Sequence, residues 1–287
     1  TFSNPDQKAT EIFDCEAVSD APYLLNATKR NLFEHNRFIK TRSSDRNHRY
    51  NAIQHGAQDT VVRHNLFAHC EGGAVNYQQY SDEALYVHGN RLYNNTFYDN
   101  ACNAIIGQSG PTSEFYDNRA VNNLLYMNTA CDGTSQQTDI EDPASVILTN
   151  NLLATSPPGF VDVAALDLRL AAGSAAIDAG TFLTRATNDG NGTLLAVDDA
   201  SYFYDGYGIP GESGDVIQFA GSTHPVRIIS IDYAANELTL AEPRTWQAGQ
   251  GVHLAFDGSA PDMGAYEHSG AARPAAPASV TVTPGPN

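Results

Sequence analysis

The chain has 287 residues, of which 41% are hydrophobic and 17% charged, and its formal net charge is −17. That hydrophobic share supports a packed core and excludes a wholly disordered chain. The acidic balance argues against nucleic acid or an anionic membrane surface as partner, and no apolar run is long enough to span a bilayer.

The chain opens at Thr1 without a leader-like segment. This is read as a signal peptide already removed, and so as a secreted protein. Repeats follow. Asn36-Arg37-Phe38, Asn65-Leu66-Phe67, Asn95-Thr96-Phe97, Asn123-Leu124-Leu125 and Asn151-Leu152-Leu153 share one pattern, with Asn spacings of 29, 30, 28 and 28 residues. Short β-prone runs between them, such as Thr60–Arg63 and Ala104–Ile106, cannot stand alone and must be buried by stacking. The period predicts an all-β fold, a right-handed parallel β-helix of about 28–30 residues per coil, and not a leucine-rich repeat, whose shorter spacing is missing. Asn36, Asn65, Asn95, Asn123 and Asn151 are expected to form a hydrogen-bonded ladder, with the Phe or Leu two residues later stacked inside.

A second register refines this. Gly73-Ala74-Val75 and Asn103-Ala104-Ile105 each begin 8 residues after their Asn, but Asn51-Ala52-Ile53 begins 15 after Asn36. A 7-residue insertion therefore lies within 39–50, and another is implied around Tyr77–Glu83. Four cysteines, Cys15, Cys70, Cys102 and Cys131, form no CxxC pair; they suit two disulfides in any of three pairings, or buried thiols.

Beyond Pro157-Pro158 the pattern changes. Residues 1–186 are assigned to coils and 187–260 to a small β sandwich or barrel-like module. Its candidate strands are Val216–Phe219, Val226–Ile231, Glu237–Leu240 and Val252–Phe256. Residues 261–270 are read as a closing segment of the helix, and the Pro- and Ala-rich 271–287 as a linker or tail.

Gly173–Gly180 and Pro261-Asp262-Met263-Gly264-Ala265-Tyr266-Glu267, together with the Asn-x-Phe coils, resemble bacterial secreted right-handed β-helix proteins of the pectate-lyase-like fold. The resemblance covers roughly residues 10–185 and 258–268. It implies the fold, and a group that ranges over polysaccharide lyases, glycosidases, uronan epimerases and adhesins. The 187–260 module departs from the simplest pattern of that group.

The chemistry is read from charge and register. Residues 40–49 hold four of the sixteen Lys and Arg residues. Arg42, Arg46 and Arg49 are candidate anchors for a carboxylated or sulfated sugar; pairing with acidic neighbours is the plainer alternative. Elimination across a uronate needs a cation over the carboxylate, a base and an acid. Lys40, Arg42 or Arg46 could supply charge, His64 or His69 the base, and Tyr77 or Tyr80 the acid, with Tyr80 also a substrate-binding candidate. Glu71, Asp82 and Glu83 could instead supply a glycosidase carboxylate pair. Calcium stays a candidate cofactor because Asp and Asn oxygens cluster at loops; Asp189-Gly190-Asn191-Gly192 resembles the start of a calcium loop but lacks the acidic twelfth position, and a turn is the better reading. The leading expectation is an extracellular carbohydrate-active or carbohydrate-binding β-helix whose ligand is an acidic polysaccharide, polysaccharide lyase-like if an enzyme. The alternative is a non-catalytic surface, adhesive or filament-associated protein whose partners are other surface subunits.

Overall fold

The computed structural model describes residues 29–40, 51–79, 86–110 and 113–269. All regular structure among them is β. Three parallel sheets run the length of a coil stack. The first contains Leu32–Glu34, Val61–Arg63, Arg91–Tyr93, Asn118–Val121 and Val146–Thr149. Next along each coil comes the second sheet, of Arg37–Ile39, Leu66–Ala68, Thr96–Tyr98, Leu124–Tyr126 and Leu152–Ala154. The third is built from Ile53–His55, Val75–Gln78, Ile105–Gln108 and Thr138–Ile140. The fold is a parallel β-helix.

Strands this short must turn sharply between sheets, and the turn residues show how. At the first corner His35, His64, Asn94, Asn122 and Asn150 all have φ between 49° and 56°. Lys40, His69, Asp99 and Met127 are likewise left-handed at the second corner, with φ of 50–61°, and Arg30, Asp59, Gly89 and Asp117 at the third, with φ of 48–70°. The left-handed region is costly for most side chains, and Asn, Asp and His tolerate it better than others. Their recurrence at corners is therefore a backbone requirement before it is anything chemical.

The five asparagines form a continuous ladder. Each Nδ2 donates to the Oδ1 of the next, from Asn36 to Asn65 (3.1 Å), Asn95 (3.0 Å), Asn123 (3.0 Å) and Asn151 (2.8 Å). The same oxygens accept the backbone N–H of the preceding asparagine. Two shorter ladders occupy the other corners. Asn90 donates to Asn118 (2.7 Å) and Asn100 to Asn128 (2.8 Å). Both pairs are 28 residues apart, a signal present in the sequence and masked by the stronger Asn-x-Phe pattern. Inside, the rings of Phe38, Phe67 and Phe97 stack at 4.8 and 4.9 Å, the interstrand repeat. Cys102 and Cys131 form a disulfide between neighbouring coils. Cys70 is fully buried, and Cys15 lies outside the described residues.

Coil strands stop at Ala154. An antiparallel hairpin follows, Phe160–Asp162 with Asp167–Leu170, and packs on Leu66, Ala68 and Tyr98 of the second sheet. Thr184–Arg185, Gly190–Ala196, Val216–Phe219, Val226–Asp232, Glu237–Trp246 and Gly251–Leu254 then build a six-stranded antiparallel sheet. A bridge between Ala186 and Val197 joins its two ends and closes it.

This closed sheet does not cap the last coils. It lies along the outward face of the first sheet, where Leu32, Val61, Tyr93 and Val121 join its core. Two buried arginines from neighbouring coils reach into it. Arg63 makes paired bonds to Asp215 (2.7 and 2.6 Å) and also holds Glu34. Arg91 lies between Asp117 and Asp199 with its guanidinium 5.2 Å from the Tyr202 ring centre. Burial opposes the Arg63 charge, and Asp215, Tyr93 and Glu34 more than restore it.

The closing segment lies on the asparagine corner. Asn94 Nδ2 donates to the Asp262 carbonyl (2.7 Å), Gly264 N–H to Asn122 (2.9 Å), and Ala265 N–H to Thr96 Oγ1 (2.9 Å). Gly264 has φ +97°, and a Cβ there would press on Thr96 Oγ1 at 2.8 Å, so the motif needs glycine for its φ and for the close approach.

Candidate functional site

The second corner gathers the exposed polar groups. Lys40 is exposed, and its N–H bonds to the Ala68 carbonyl one coil on. His69 follows in the same column and Asp99 after it. His69 Nδ1 lies 2.9 Å from Asp99 Oδ2, with the ring edge-on to Tyr98 at 5.5 Å. Glu71 is exposed two residues past His69. The structure therefore brings Lys40 and His69 together, and adds Asp99.

The other described members of the elimination set, His64 and Tyr77, are elsewhere. His64 sits at the first corner, across the second sheet from His69. It stacks on His35 at 5.3 Å, and its Nδ1 is 3.3 Å from the Ala265 carbonyl. Burial, then His35, Arg63 and His253, hold its pKa well below the ordinary histidine value. Tyr77 points into the helix, with 1% of its surface exposed and its ring against His55. Burial raises its pKa, and no hydroxyl in that position can reach a glycosidic oxygen outside. Arg42, Arg46, Arg49, Tyr80, Asp82 and Glu83 lie outside the described residues.

Next to the Lys40 corner, the third sheet carries a row of amides that sequence reasoning missed. Ile53, Val75, Tyr77 and Ile105 turn inward; of the alternate positions, Gln54 is exposed and Gln78 and Gln108 are half-buried, while Asn76 and Ile106 are fully buried. Gln54 donates to Gln78 Oε1 (3.0 Å) and Asn76 to Gln108 Oε1 (3.0 Å). At the strand ends Ser109 bonds through N–H and hydroxyl to Glu141 Oε2, 3.0 Å each. The register of Gln78 with Gln108 was visible as a 30-residue spacing. Amides both donate and accept, which suits sugar hydroxyls.

No group of three His, Cys, Asp or Glu placed to hold a metal occurs among the described residues. The calcium-like stretch enters a strand: Gly190 begins Gly190–Ala196, and the Asp189 carboxylate accepts the Ala248 N–H at 2.8 Å. Asn26-Ala27-Thr28, Asn94-Asn95-Thr96 and Asn191-Gly192-Thr193 have the form of N-glycosylation sequons; Asn94 is fully buried with its amide committed to Asp262, Asn191 is exposed, and Asn26 lies outside the described residues.

Titratable groups near the corners give the fold a pH optimum. Burial pulls His55 down to about 4 from 6.5, and His64 is lowered too. Both stay neutral in the fold, so their contribution is present above pH 6.5 and is lost as pH falls through the folded values. Glu267 runs the other way: burial, then Asp262, push it up to about 8 from 4.5. Its contribution is lost as pH rises from 4.5 through 8. Melting temperature is therefore expected to peak near pH 6.5, and Glu267→Gln should flatten the alkaline side and steepen the acid side between pH 4.5 and 6.5. Melts from pH 4 to 9 check this; an unchanged alkaline slope in the variant would refute it.

Comparison with protein-family models, with curated proteins and with solved structures finds no match to this chain.

Proposed function

We propose that the protein is an extracellular carbohydrate-binding β-helix that holds an acidic polysaccharide at the Lys40 corner and over the adjoining amide row. The observation that carries this reading is the juxtaposition of the exposed Lys40, beside His69, with the amides of Gln54, Gln78 and Gln108 on regularly spaced coils. Lys40 supplies a positive charge for carboxylates, and Gln54, Gln78 and Gln108 supply hydrogen bonds to hydroxyls. The basic stretch that begins at Lys40 adds charge at the same point of the chain. A secreted setting suits the Cys102–Cys131 disulfide. Binding is favoured over elimination because Tyr77 faces inward and His64 lies at another corner.

The test is retention on immobilised uronic-acid polymer at low salt, against a neutral polysaccharide matrix. Wild-type protein is expected to be retained and to release no unsaturated product by ultraviolet absorbance. Lys40→Ala combined with Gln78→Ala should elute early, as should Arg42→Ala combined with Arg46→Ala. Lys40→Ala should shift stability by less than ~1 kcal/mol, since an exposed charge contributes little. A wild-type protein that passes straight through the acidic matrix would refute the reading.

A further inference from the structure

Among the described residues the coil stack is open at its last turn. Val146–Thr149, Leu152–Ala154 and Thr138–Ile140 each end their sheet, with a paired strand on one side only. Leu148 and Leu153 stand in register with Ala120 and Leu125, which are fully buried inside the helix. Yet they are 37% and 44% exposed. Open strand edges around an uncovered core are a template for further pairing. We propose that this end receives the first coil of a second copy of the chain, so that copies stack head to tail. The stacking does not rest on the polysaccharide reading and uses none of the residues that carry it.

Three edges around one cross-section call for a partner of the same cross-section. A single extended peptide can pair with one edge; a coil of another β-helix meets all three at once. Head to tail, the inner columns also continue in register. Phe38, Phe67, Phe97, Leu125 and Leu153 form one column, which would run on to Phe38 of the next copy. Phe33, Val62, Leu92, Ala120 and Leu148 form another, which would run on to Phe33. Both phenylalanines are only half-buried, so each end offers apolar surface that the other would cover.

Two observations set the direction. The asparagine ladder has a donor end and an acceptor end, because each N–H and Nδ2 donates to the Oδ1 of the next asparagine. At the last coil Asn151 Nδ2 reaches only the Ala120 carbonyl. At the first coil Asn36 donates to Glu34 and Asn65, and its Oδ1 accepts no bond among the described residues. Asn151 of one copy would donate to Asn36 of the next, whereas tail to tail would set donors against donors. Charge gives the same answer. No Lys, Arg or His occurs between Arg119 and Arg169, a stretch that carries Asp132, Asp139, Glu141 and Asp142. The Asp142 carboxylate accepts the Ala144 N–H at 3.0 Å and the Ser145 hydroxyl, which holds it at the third corner. In the first coil Lys29 and Arg30 occupy the register positions of Ala144 and Ser145. Head-to-tail stacking brings those cations to that carboxylate, and tail-to-tail stacking would press two acidic coils together. Because the columns run along the helix axis, the contact does not close into a ring, and association continues beyond a dimer.

Sedimentation velocity of the full chain tests this across a wide concentration range at low and high salt. Wild-type protein is expected to pass from monomer to a growing series of sizes as concentration rises. High salt should shift it back toward monomer by screening the exposed charges. Leu148→Glu with Leu153→Glu should weaken association about tenfold or more, and so should Lys29→Glu with Arg30→Glu. Melting temperatures should stay close to wild type, and should the leucine variant unfold, the Lys29, Arg30 variant decides alone. Mixed in equal amounts, the two variants keep one sound end each and should form a dimer and nothing larger. A wild type that stays monomeric at every concentration, the result if another segment covers either end, would overturn the proposal. So would a Lys29, Arg30 variant that associates like wild type, the mark of tail-to-tail contact, or a mixture of folded variants that stays monomeric.

Discussion

Replacing Asp215 with Ala should lower stability by about 3–5 kcal/mol, the usual cost of removing one partner from a buried ion pair. Arg63 and Asp215 come from elements 152 residues apart, and their side chains are 3% and 8% exposed. Asp215 takes two guanidinium bonds and also accepts the Tyr204 N–H at 2.8 Å. With it gone, Glu34 and the Tyr93 hydroxyl cannot replace that geometry, and the charge is left in a site water does not reach. The closed sheet would then lose its fixed seat on the first sheet. Denaturant midpoints of Asp215→Ala, Arg63→Met and the combined Arg63→Met, Asp215→Leu check this. The combined variant should recover most of the loss, because an apolar pair of similar volume carries no stranded charge. A single variant within ~1 kcal/mol of wild type would mean that water solvates the pair, on the scale expected of exposed ion pairs.

Asn95→Ala should cost a comparable amount, roughly 3–5 kcal/mol, because it strands several buried polar groups at ~1–3 kcal/mol each. Asn95 Oδ1 accepts from the Asn65 N–H (2.9 Å) and Nδ2 (3.0 Å), and its own Nδ2 reaches the Val62 carbonyl (2.9 Å), the Tyr93 carbonyl (3.0 Å) and Asn123 Oδ1 (3.0 Å). Asn95→Asp should fare no better, since a carboxylate would face those oxygens without a proton to donate. Asn151→Ala, at the half-buried end of the ladder where Nδ2 meets the Ala120 carbonyl, should cost less than half as much. Chemical denaturation of the three variants checks the gradient; equal losses at Asn95 and Asn151 would show that the ladder does not act through burial.

The asparagine ladder, the inward phenylalanines and several strands of the closed sheet were legible in the sequence, for one physical reason. A coil that stacks on its neighbour imposes the same demand at the same register on each turn, so the demand appears as a period. The left-handed corners left a trace of the same kind: His64, His69 and Asp99 recur at fixed offsets because the backbone requires tolerant residues there. Read as chemistry, that trace groups histidines the fold keeps apart. Which of them share a corner depends on where the chain turns, and one residue of strand parity sends Tyr77 into the core while Gln78 stays at the surface. Strand parity follows from pairing with neighbours. The contacts of Arg63 with Asp215, and of Arg30 with Tyr233, have no period at all. Each joins a repeated coil to an unrepeated sheet, so only the docking of the two, set by the apolar face of Leu32, Val61, Tyr93 and Val121, decides which charges meet.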